Sequence, residues 1–254
     1  KYLPISLDFV KRQRQGGFDP VAAYIRAGGN RDVLDRKAIL LGSTPELERR
    51  PGGVLVGDNT GIMARHMPYW VRHKHLPSPK VRGLASWDRK IEGLAAEAAD
   101  RDVRLIAGTP AWFAGLFDEV LRVVRRRKAT RHAKSILDVW PRLRLLTGGG
   151  VRYEPYRPLI EARLGARVPY LDVYNATEGG IMGVQDRFDD PAMLLLPDNG
   201  VFYEFVPRES LASATPERLA LWQVEPDRTY ALAVSTPSGL FGYLLGDRNA
   251  KVCI

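Results

Sequence analysis

The chain has 254 residues, of which 45% are hydrophobic, and a formal net charge of +9 at pH 7. A chain of this length can bury a substantial core in one large domain or two smaller ones, and no run approaches the roughly 20 apolar residues that cross a bilayer. The single cysteine, Cys253, excludes an internal disulfide and a cysteine-built metal site.

The start of the chain, "KYLPISLDFVKRQRQGG", lacks the charged-then-apolar order of a signal peptide, so a cytoplasmic protein that does not enter a membrane is expected. The chain opens on Lys1 instead of Met and closes on "GDRNAKVCI" without an evident terminal helix. We therefore expect the sequence to be a piece of a longer protein.

The first predicted elements form an α/β pattern between about residues 32 and 184. The short apolar runs "KAILLG", "DVRLIAG", "LRLLTGG" and "PYLDVYN" alternate with helical patterns. Such runs are typical of buried strands in a largely parallel sheet. Between the first two strands, the mixed charges of residues 88–97 indicate a solvated helix face, and His66, His73 and His75 lie in a Pro-rich, cationic stretch that favours a solvated loop over a metal site.

An amphipathic helix is predicted after "GTPAW". Thr109 can cap it, Pro110 suits its first turn, and apolar residues recur along one face from Trp112 onward. The basic run 122–134 that follows is most simply a solvated helix end, so nucleic acid is not expected as a partner. Residues 154–164 predict a second short helix stopped by Gly165, with Pro158 obscuring its boundaries.

The pattern changes after Asp190 to strand-rich sequence. "MLLLPDNGVFYEFVP" predicts two apolar strands joined by a tight hairpin turn at Asn199-Gly200. The expected fold is therefore α/β, a largely parallel sheet flanked by helices and followed by a smaller antiparallel β-rich module. Residues 1–185 are assigned to the first part and residues 186–254 to the second.

Candidate site residues lie at three strand ends, because ligands gather where parallel strands end. These ends are "GTPAW" at residues 108–112, "LTGGG" at residues 146–150 and "YNATEGG" at residues 174–180. Glycines 148–150 let a backbone approach a ligand closely, but they match neither a Walker loop nor a dinucleotide fingerprint. "YNATEGG", from Tyr174, combines an aromatic ring, an amide, a hydroxyl and a carboxylate able to hold Mg²⁺. The alternative is an Asn/Thr-capped turn with a solvated Glu178.

Five segments together resemble the bacterial members of the auxin-responsive promoter (Gretchen Hagen) family of acyl acid amido synthetases. They are "KYLPIS", "WPRLRLLTGGGVRYEPYRPLIEARLG", "YLDVYNATEGGIMGVQD", "MLLLPDNGVFYEFVP" and "GLFGYLLGD", in this order and over nearly the whole chain. The resemblance implies part of an adenylate-forming fold with ATP and Mg²⁺ as cofactors. It also implies a two-step reaction, in which a carboxylic acid becomes an acyl-adenylate and an amine, commonly of an amino acid, then displaces AMP.

The resemblance also implies residue roles. Thr177 would bond the α-phosphate and Glu178 would ligate Mg²⁺ as the catalytic pair, while Thr109 and Trp112 would line the acyl pocket. The remaining nucleotide-binding residues would be Gly148, Gly149, Gly150, Tyr174, Asn175, Ala176, Tyr243 and Asp247, with Tyr174 against the adenine and Asp247 on the ribose hydroxyls.

Departures from the family qualify this expectation. The family's phosphate loop would precede Lys1, its C-terminal domain would follow Asp247, arginines are usual where this chain has Gly242 and Leu244, and the tail "RNAKVCI" differs. We expect the 254-residue piece to turn over slowly or not at all. The open alternatives are an acyl-CoA ligase of the same superfamily, a non-catalytic remnant and, last, a nucleic-acid-binding protein. The acid, the amine and the oligomeric state are not determined by the sequence.

Overall fold

The computed structural model describes residues 2–127, 132–246 and 250–251, with only the backbone of Trp70, Ala250 and Lys251. Lys1, Asp247, Cys253, part of the basic run 122–134 and most of the divergent tail lie outside the described residues. The chain forms two compact units. The larger unit comprises Asp19–Val173 and Gln185–Met193, and the smaller unit comprises Lys1–Phe18, Tyr174–Val184 and Leu194–Ile254.

The helices in chain order are α1 Leu7–Gly16, α2 Asp19–Arg26, α3 Asn59–Arg65, α4 Tyr69–Arg72, α5 Pro79–Arg82, α6 Trp87–Ala98, α7 Phe113–Arg125, α8 Ile136–Val139 and α9 Arg157–Leu164. The strands are β1 Lys37–Leu40, β2 Glu48–Arg49, β3 Leu55–Val56, β4 His75–Leu76, β5 Val103–Ala107, β6 Leu145–Gly148, β7 Tyr170–Ala176, β8 Gly180–Gln185, β9 Met193–Leu195, β10 Phe202–Pro207, β11 Thr229–Ser235, β12 Tyr243–Leu244 and β13 Ala250–Lys251. Within the described part of the chain, no helix is both long enough and apolar enough to span a membrane.

A mostly parallel sheet organises the larger unit. Its described strands follow the order β4-β1-β5-β6-β7-β8-β9, and each pairing from β4 to β7 is parallel. The register sets Ile39 beside Ile106 and Ile106 beside Leu146. Because these strands run in one direction, the residues that follow β1, β5 and β6 share one edge of the sheet. The four predicted strands are confirmed.

The core of the larger unit contains the helix predicted to be amphipathic, α7. Along α7 the apolar stripe is buried: Phe113, Leu116, Phe117, Val120, Leu121 and Val124. The indole N–H of the fully buried Trp140 donates to the carbonyl of Ala98 at 3.1 Å, which ties this core to the end of α6. The stripe therefore did predict the buried face.

The second predicted helix divides into a 3-10 turn, Glu154–Tyr156, and α9. Pro158 lies in the first turn of α9, where a backbone N–H would have no hydrogen-bond partner within the helix, so proline is tolerated there. Gly165 ends α9 with φ +87°, a left-handed backbone conformation that glycine adopts without strain.

Strands β10 to β13 form a separate antiparallel sheet in the smaller unit, in which β11 pairs with each of the other three. The expected fold class, a parallel sheet with helices and a smaller antiparallel β-rich part, is confirmed. The hairpin prediction at Asn199-Gly200 is wrong, because β9 and β10 belong to different sheets. The Asn199 side chain instead donates to the carbonyl of Ile181 at 3.1 Å, so the Asn-Gly turn redirects the chain without pairing its flanking strands.

Two expectations of solvent exposure are also wrong. Within residues 88–97, α6 buries Lys90, Ile91, Leu94 and Ala95 against the sheet. His75 lies in β4, paired beside Ala38, and its Nδ1 is 2.9 Å from the carbonyl of Val71. Burial lowers the pKa of His75. Mixed charge along a helix did not reveal which side packs, because a long side chain such as Lys90 can be buried along its aliphatic stem.

Candidate functional site

The ends of β5 and β6 approach each other more closely than any side chain permits. A Cβ atom added at Gly148 would lie 1.7 Å from the carbonyl oxygen of Gly108, and one added at Gly150 would lie 3.7 Å from Oγ1 of Thr109. Gly150 also has φ +85°. The structure therefore brings the glycine triplet and Thr109, which lie on two separate loops, together at the carboxyl edge of the larger unit.

A buried polar group below the triplet orients its first peptide. The Tyr170 hydroxyl lies 3.1 Å from the carbonyl oxygen of Gly148 and 3.0 Å from Oδ1 of Asp172. Tyr153 stacks on Tyr170 with ring centroids 3.8 Å apart and nearly parallel planes. These contacts anchor the carbonyl of Gly148 at the end of β6.

Burial dominates the electrostatics of this group. It raises the pKa of Asp172 above its ordinary value and raises the pKa of Tyr170 well above its usual range. Burial also raises the pKa of Tyr153 to about 12. Sequence reasoning missed all three residues; the one available signal was the polar Asp172 inside the apolar run "PYLDVYN".

Trp112, predicted to line an acyl pocket, lies half-buried in the 3-10 turn that follows Thr109. Its ring contacts that of Trp87, the first residue of α6, with centroids 4.8 Å apart at 51°. Thr109 occupies the cap position of that turn, but its side chain makes no capping hydrogen bond. An aromatic pair thus lies after β5, the neighbour of the strand that ends at the glycines.

In the smaller unit, the "YNATEGG" segment forms the end of β7, a turn at residues 177–179 and the start of β8. Asn175 and Thr177 are exposed, whereas Tyr174 and Ala176 pack against the core of this unit. Tyr243, on β12, packs against the same core cluster. Alternate residues of a strand face opposite sides, so Tyr174 and Ala176 face this core and Asn175 points away from it.

The end of this turn also requires glycine. Gly180 has φ +68°, and a Cβ there would lie 2.7 Å from Cγ of Gln13 on α1. Gln13 is buried, and its Nε2 has no hydrogen-bond partner among the described residues. The second glycine of "EGG" therefore lets the turn pack directly on α1.

The predicted residues consequently fall into two groups. Thr109, Trp112 and Gly148 to Gly150 lie in the larger unit, whereas Tyr174 to Glu178 and Tyr243 lie in the smaller unit. Asp247, the predicted ribose ligand, lies outside the described residues.

The side chains of the turn at residues 177–179 suit a nucleotide that binds as its complex with a metal ion. Thr177 and Glu178 place a hydroxyl and a carboxylate on one tight turn. Elsewhere in the described ranges, no group of three or more His, Cys, Asp or Glu side chains comes together to hold a metal ion. A single carboxylate is typical of Mg²⁺ sites in which phosphate and water oxygens complete the coordination. The residues present thus fit Mg²⁺ bound with ATP.

Residues 194–252 match the GH3 family central domain, GH3 being the Gretchen Hagen family. The resemblance to this family is confirmed. The matched segment contains β10 to β13 and with them Tyr243 and Asp247, but neither the glycine triplet nor the "YNATEGG" turn. A search of curated proteins found no match.

Solved structures extend the fold likeness to the whole chain. GH3.15 acyl acid amido synthetase matches with a TM-score of 0.73 at 13% identity, over 97% of this chain and 51% of that one. The AtGH3.15 acyl acid amido synthetase in complex with 2,4-DB gives 0.73 at 15% identity, over 100% and 52%. The 2-hydroxyisobutyryl-CoA ligase in complex with 2-HIB-AMP and CoA gives 0.52 at 13% identity, over 92% and 42%.

At these identities the likeness shows the fold alone, which this chain shares with the GH3.15 acyl acid amido synthetase and the 2-hydroxyisobutyryl-CoA ligase. This chain spans about half the length of the GH3.15 structures it matches.

Proposed function

We propose that this chain is part of an ATP-dependent ligase that activates a carboxylic acid as an acyl-adenylate and conjugates it to the amine of an amino acid. The observation that carries the proposal is the GH3 central domain match, in a chain whose whole length follows the fold of an acyl acid amido synthetase. In this proposal residues 1–185 belong to the adenylation core and residues 186–254 to a β-rich middle module.

The turn of the smaller unit would bind the nucleotide. A carboxylate is a poor electrophile, and ATP bound with Mg²⁺ supplies the leaving group that makes it reactive. The Thr177 hydroxyl is exposed and can donate to a phosphate oxygen, and the Glu178 carboxylate can hold the metal ion. The half-buried rings of Tyr174 and Tyr243 would meet the adenine and the nucleoside, the backbone of Asn175 and Ala176 would line the adenine edge, and Asp247 would accept from the ribose hydroxyls.

The strand ends of the larger unit would position the acid. Gly148 already meets the Gly108 backbone, whereas a Cβ at Gly150 would meet only Oγ1 of Thr109 at 3.7 Å, so a planar carboxylate would approach the backbone at Gly149 and Gly150. Thr109 supplies a hydroxyl beside Gly150, and Trp112 with Trp87 supplies an apolar wall for the acyl group. These residues would orient the acid and exclude water from it.

An acyl-CoA ligase is the second candidate, because 2-hydroxyisobutyryl-CoA ligase also shares the fold. The higher TM-score to the amido synthetases, 0.73 against 0.52, favours an amine acceptor.

The nucleotide assignment is tested by titrating the chain with ATP, with and without Mg²⁺, by calorimetry. Glu178→Gln should weaken the Mg²⁺-dependent component about tenfold, or ~1.4 kcal/mol, and leave the metal-independent component unchanged. Glu217→Gln, at an exposed glutamate of the same unit, is the matched control. Equal Mg²⁺-dependent affinity in the Glu178→Gln variant and the wild type would remove Glu178 from the site.

The reaction class is tested by incubating the full-length protein to which this chain belongs with ATP, Mg²⁺ and a panel of carboxylic acids, and measuring pyrophosphate release. Amino acids or coenzyme A are then added, and the acyl product is identified by mass spectrometry. An amide supports the proposal, and a thioester supports the second candidate. Absence of ATP binding in any condition would refute both.

A further inference from the structure

Lys90 is a buried cation that neither the nucleotide turn nor the glycine triplet uses. It is 5% exposed on α6, and the one hydrogen bond of its Nζ to the described residues is to the carbonyl oxygen of Gly42, at 3.4 Å. An ammonium group has three donors, so two remain without a protein acceptor in the described part of the chain. Burial lowers the pKa of Lys90, and the charge of Arg82 lowers it further.

A comparison with Arg104, in the same unit, shows how a buried cation is otherwise paired with carboxylates. The Arg104 side chain is also 5% exposed, but it pairs with Asp32 at 2.8 Å and with Asp102 at 3.0 Å. Lys90 forms no ion pair with any described carboxylate. Asp58, which acts on Lys90 through its charge, accepts from the backbone and side chain of Thr60 and caps α3. A buried charge without a counter-charge is strongly disfavoured unless a ligand supplies one.

The position of Lys90 places its ammonium at the same edge as the proposed acid site. Gly42 lies two residues beyond β1, and the register sets Leu40 beside Ala107 and Ala107 beside Thr147. Gly42 is therefore two strands away from the glycine triplet, or about 10 Å at the usual spacing of strands.

Trp87 lies one helical turn before Lys90 on α6, and these positions are neighbours on one helix face. Its ring contacts Trp112, which follows β5. Three features therefore occupy the edge in the order β6, β5, β1: the glycine triplet, an aromatic pair and an incompletely paired ammonium.

We propose that Lys90 binds a second carboxylate, so that the acid recognised at this edge is a dicarboxylic acid with an apolar chain between its ends. This inference rests on the proposed function, which assigns the reacting carboxylate to the glycine triplet. The methylene chain then lies along Trp87 and Trp112, and the far carboxylate accepts from the two remaining donors of Lys90. A monocarboxylic acid of the same length would leave Lys90 buried and unpaired, so the site discriminates against it.

The test compares pimelate with heptanoate, a monoacid of the same chain length, by calorimetry with the chain in the presence and absence of ATP and Mg²⁺. The wild type should bind pimelate at least ten times more tightly. Lys90→Met keeps the length and apolar stem of the side chain but removes its charge, so it should lose the pimelate preference and retain heptanoate binding. Lys80→Met, at an exposed lysine on α5, should behave as the wild type.

Thermal unfolding of the Lys90→Met variant checks that it folds, and its midpoint should be equal to or above that of the wild type because an unpaired buried charge has been removed. Equal binding of the two acids by the wild type, no binding of either, or an unchanged preference in Lys90→Met would overturn the inference even if ATP binds. A Lys90-dependent preference without ATP binding would instead keep the carboxylate position and refute adenylation.

Discussion

Replacing Gly148 with alanine tests the close approach of β5 and β6. At a site with space, this change reduces the entropy of the unfolded chain and stabilises by about 0.4–1 kcal/mol. Here the new Cβ would lie 1.7 Å from the Gly108 carbonyl oxygen, whereas a close C···O contact is about 3.3 Å. The two strand ends must therefore separate by roughly 1.5 Å.

That separation breaks specific contacts. The hydrogen bond from Gly108 N–H to the Thr147 carbonyl, at 3.0 Å, is lost or stretched, as is the contact of Tyr170 with the Gly148 carbonyl. Overpacking costs about 1–3 kcal/mol, and a buried backbone group left unpaired costs about 1–3 kcal/mol more. These terms exceed the entropic gain, so we expect Gly148→Ala to lower the free energy of unfolding by about 2–5 kcal/mol.

Equilibrium denaturation in urea, followed by far-UV circular dichroism, measures this change. Gly115→Ala is the matched control, because Gly115 lies inside α7 with nothing within 4 Å of an added Cβ, and the same substitution there should stabilise by up to about 1 kcal/mol. A Gly148→Ala midpoint equal to or above that of the wild type would show that the two strand ends do not approach as described.

Two further predictions concern the core of the larger unit. Burial raises the folded-state pKa of Asp172 above its ordinary value of 3.8, so the contribution of Asp172 to stability is complete below pH 3.8 and is lost as the pH rises through the folded-state pKa. The Asp172→Asn variant should therefore gain stability relative to the wild type between acid and neutral pH. A stability difference that does not change with pH in urea titrations would contradict this. The Trp140→Ala variant removes a fully buried ring and the hydrogen bond to Ala98, so we expect the free energy of unfolding to fall by about 3–5 kcal/mol in the same denaturation assay. A decrease below about 1 kcal/mol would mean that the core relaxes around the cavity.

Much of the architecture followed from local patterns. The runs "KAILLG" and "LRLLTGG" predicted parallel strands because fully buried strands need apolar residues on both faces, and the stripe of α7 predicted its packed side. The Asn199-Gly200 signal was read correctly as a turn but wrongly as a hairpin, since turn chemistry does not specify which strands pair.

The candidate site was predictable only where residue type itself restricts the backbone or the chemistry. The glycine triplet was predicted to let the backbone approach a ligand, whereas Gly148 approaches the Gly108 backbone of the neighbouring strand end, and the ligand role stays a prediction. The roles of Tyr174 to Glu178 remain proposals that came from the resemblance. Asp172 and Tyr170 were missed because a hydrogen bond between alternate residues of one strand is indistinguishable, in sequence, from two unrelated positions.

By itself, the sequence determined the alternation of strands and helices, the buried face of α7 and the family resemblance, because each depends on residues close together in the chain or on motif order. Only the tertiary structure decided that Lys90 is buried beside Gly42, that Trp87 meets Trp112, and that His75 belongs to a strand. These facts depend on which elements become neighbours across the sheet, and burial and electrostatics act through space and not along the chain.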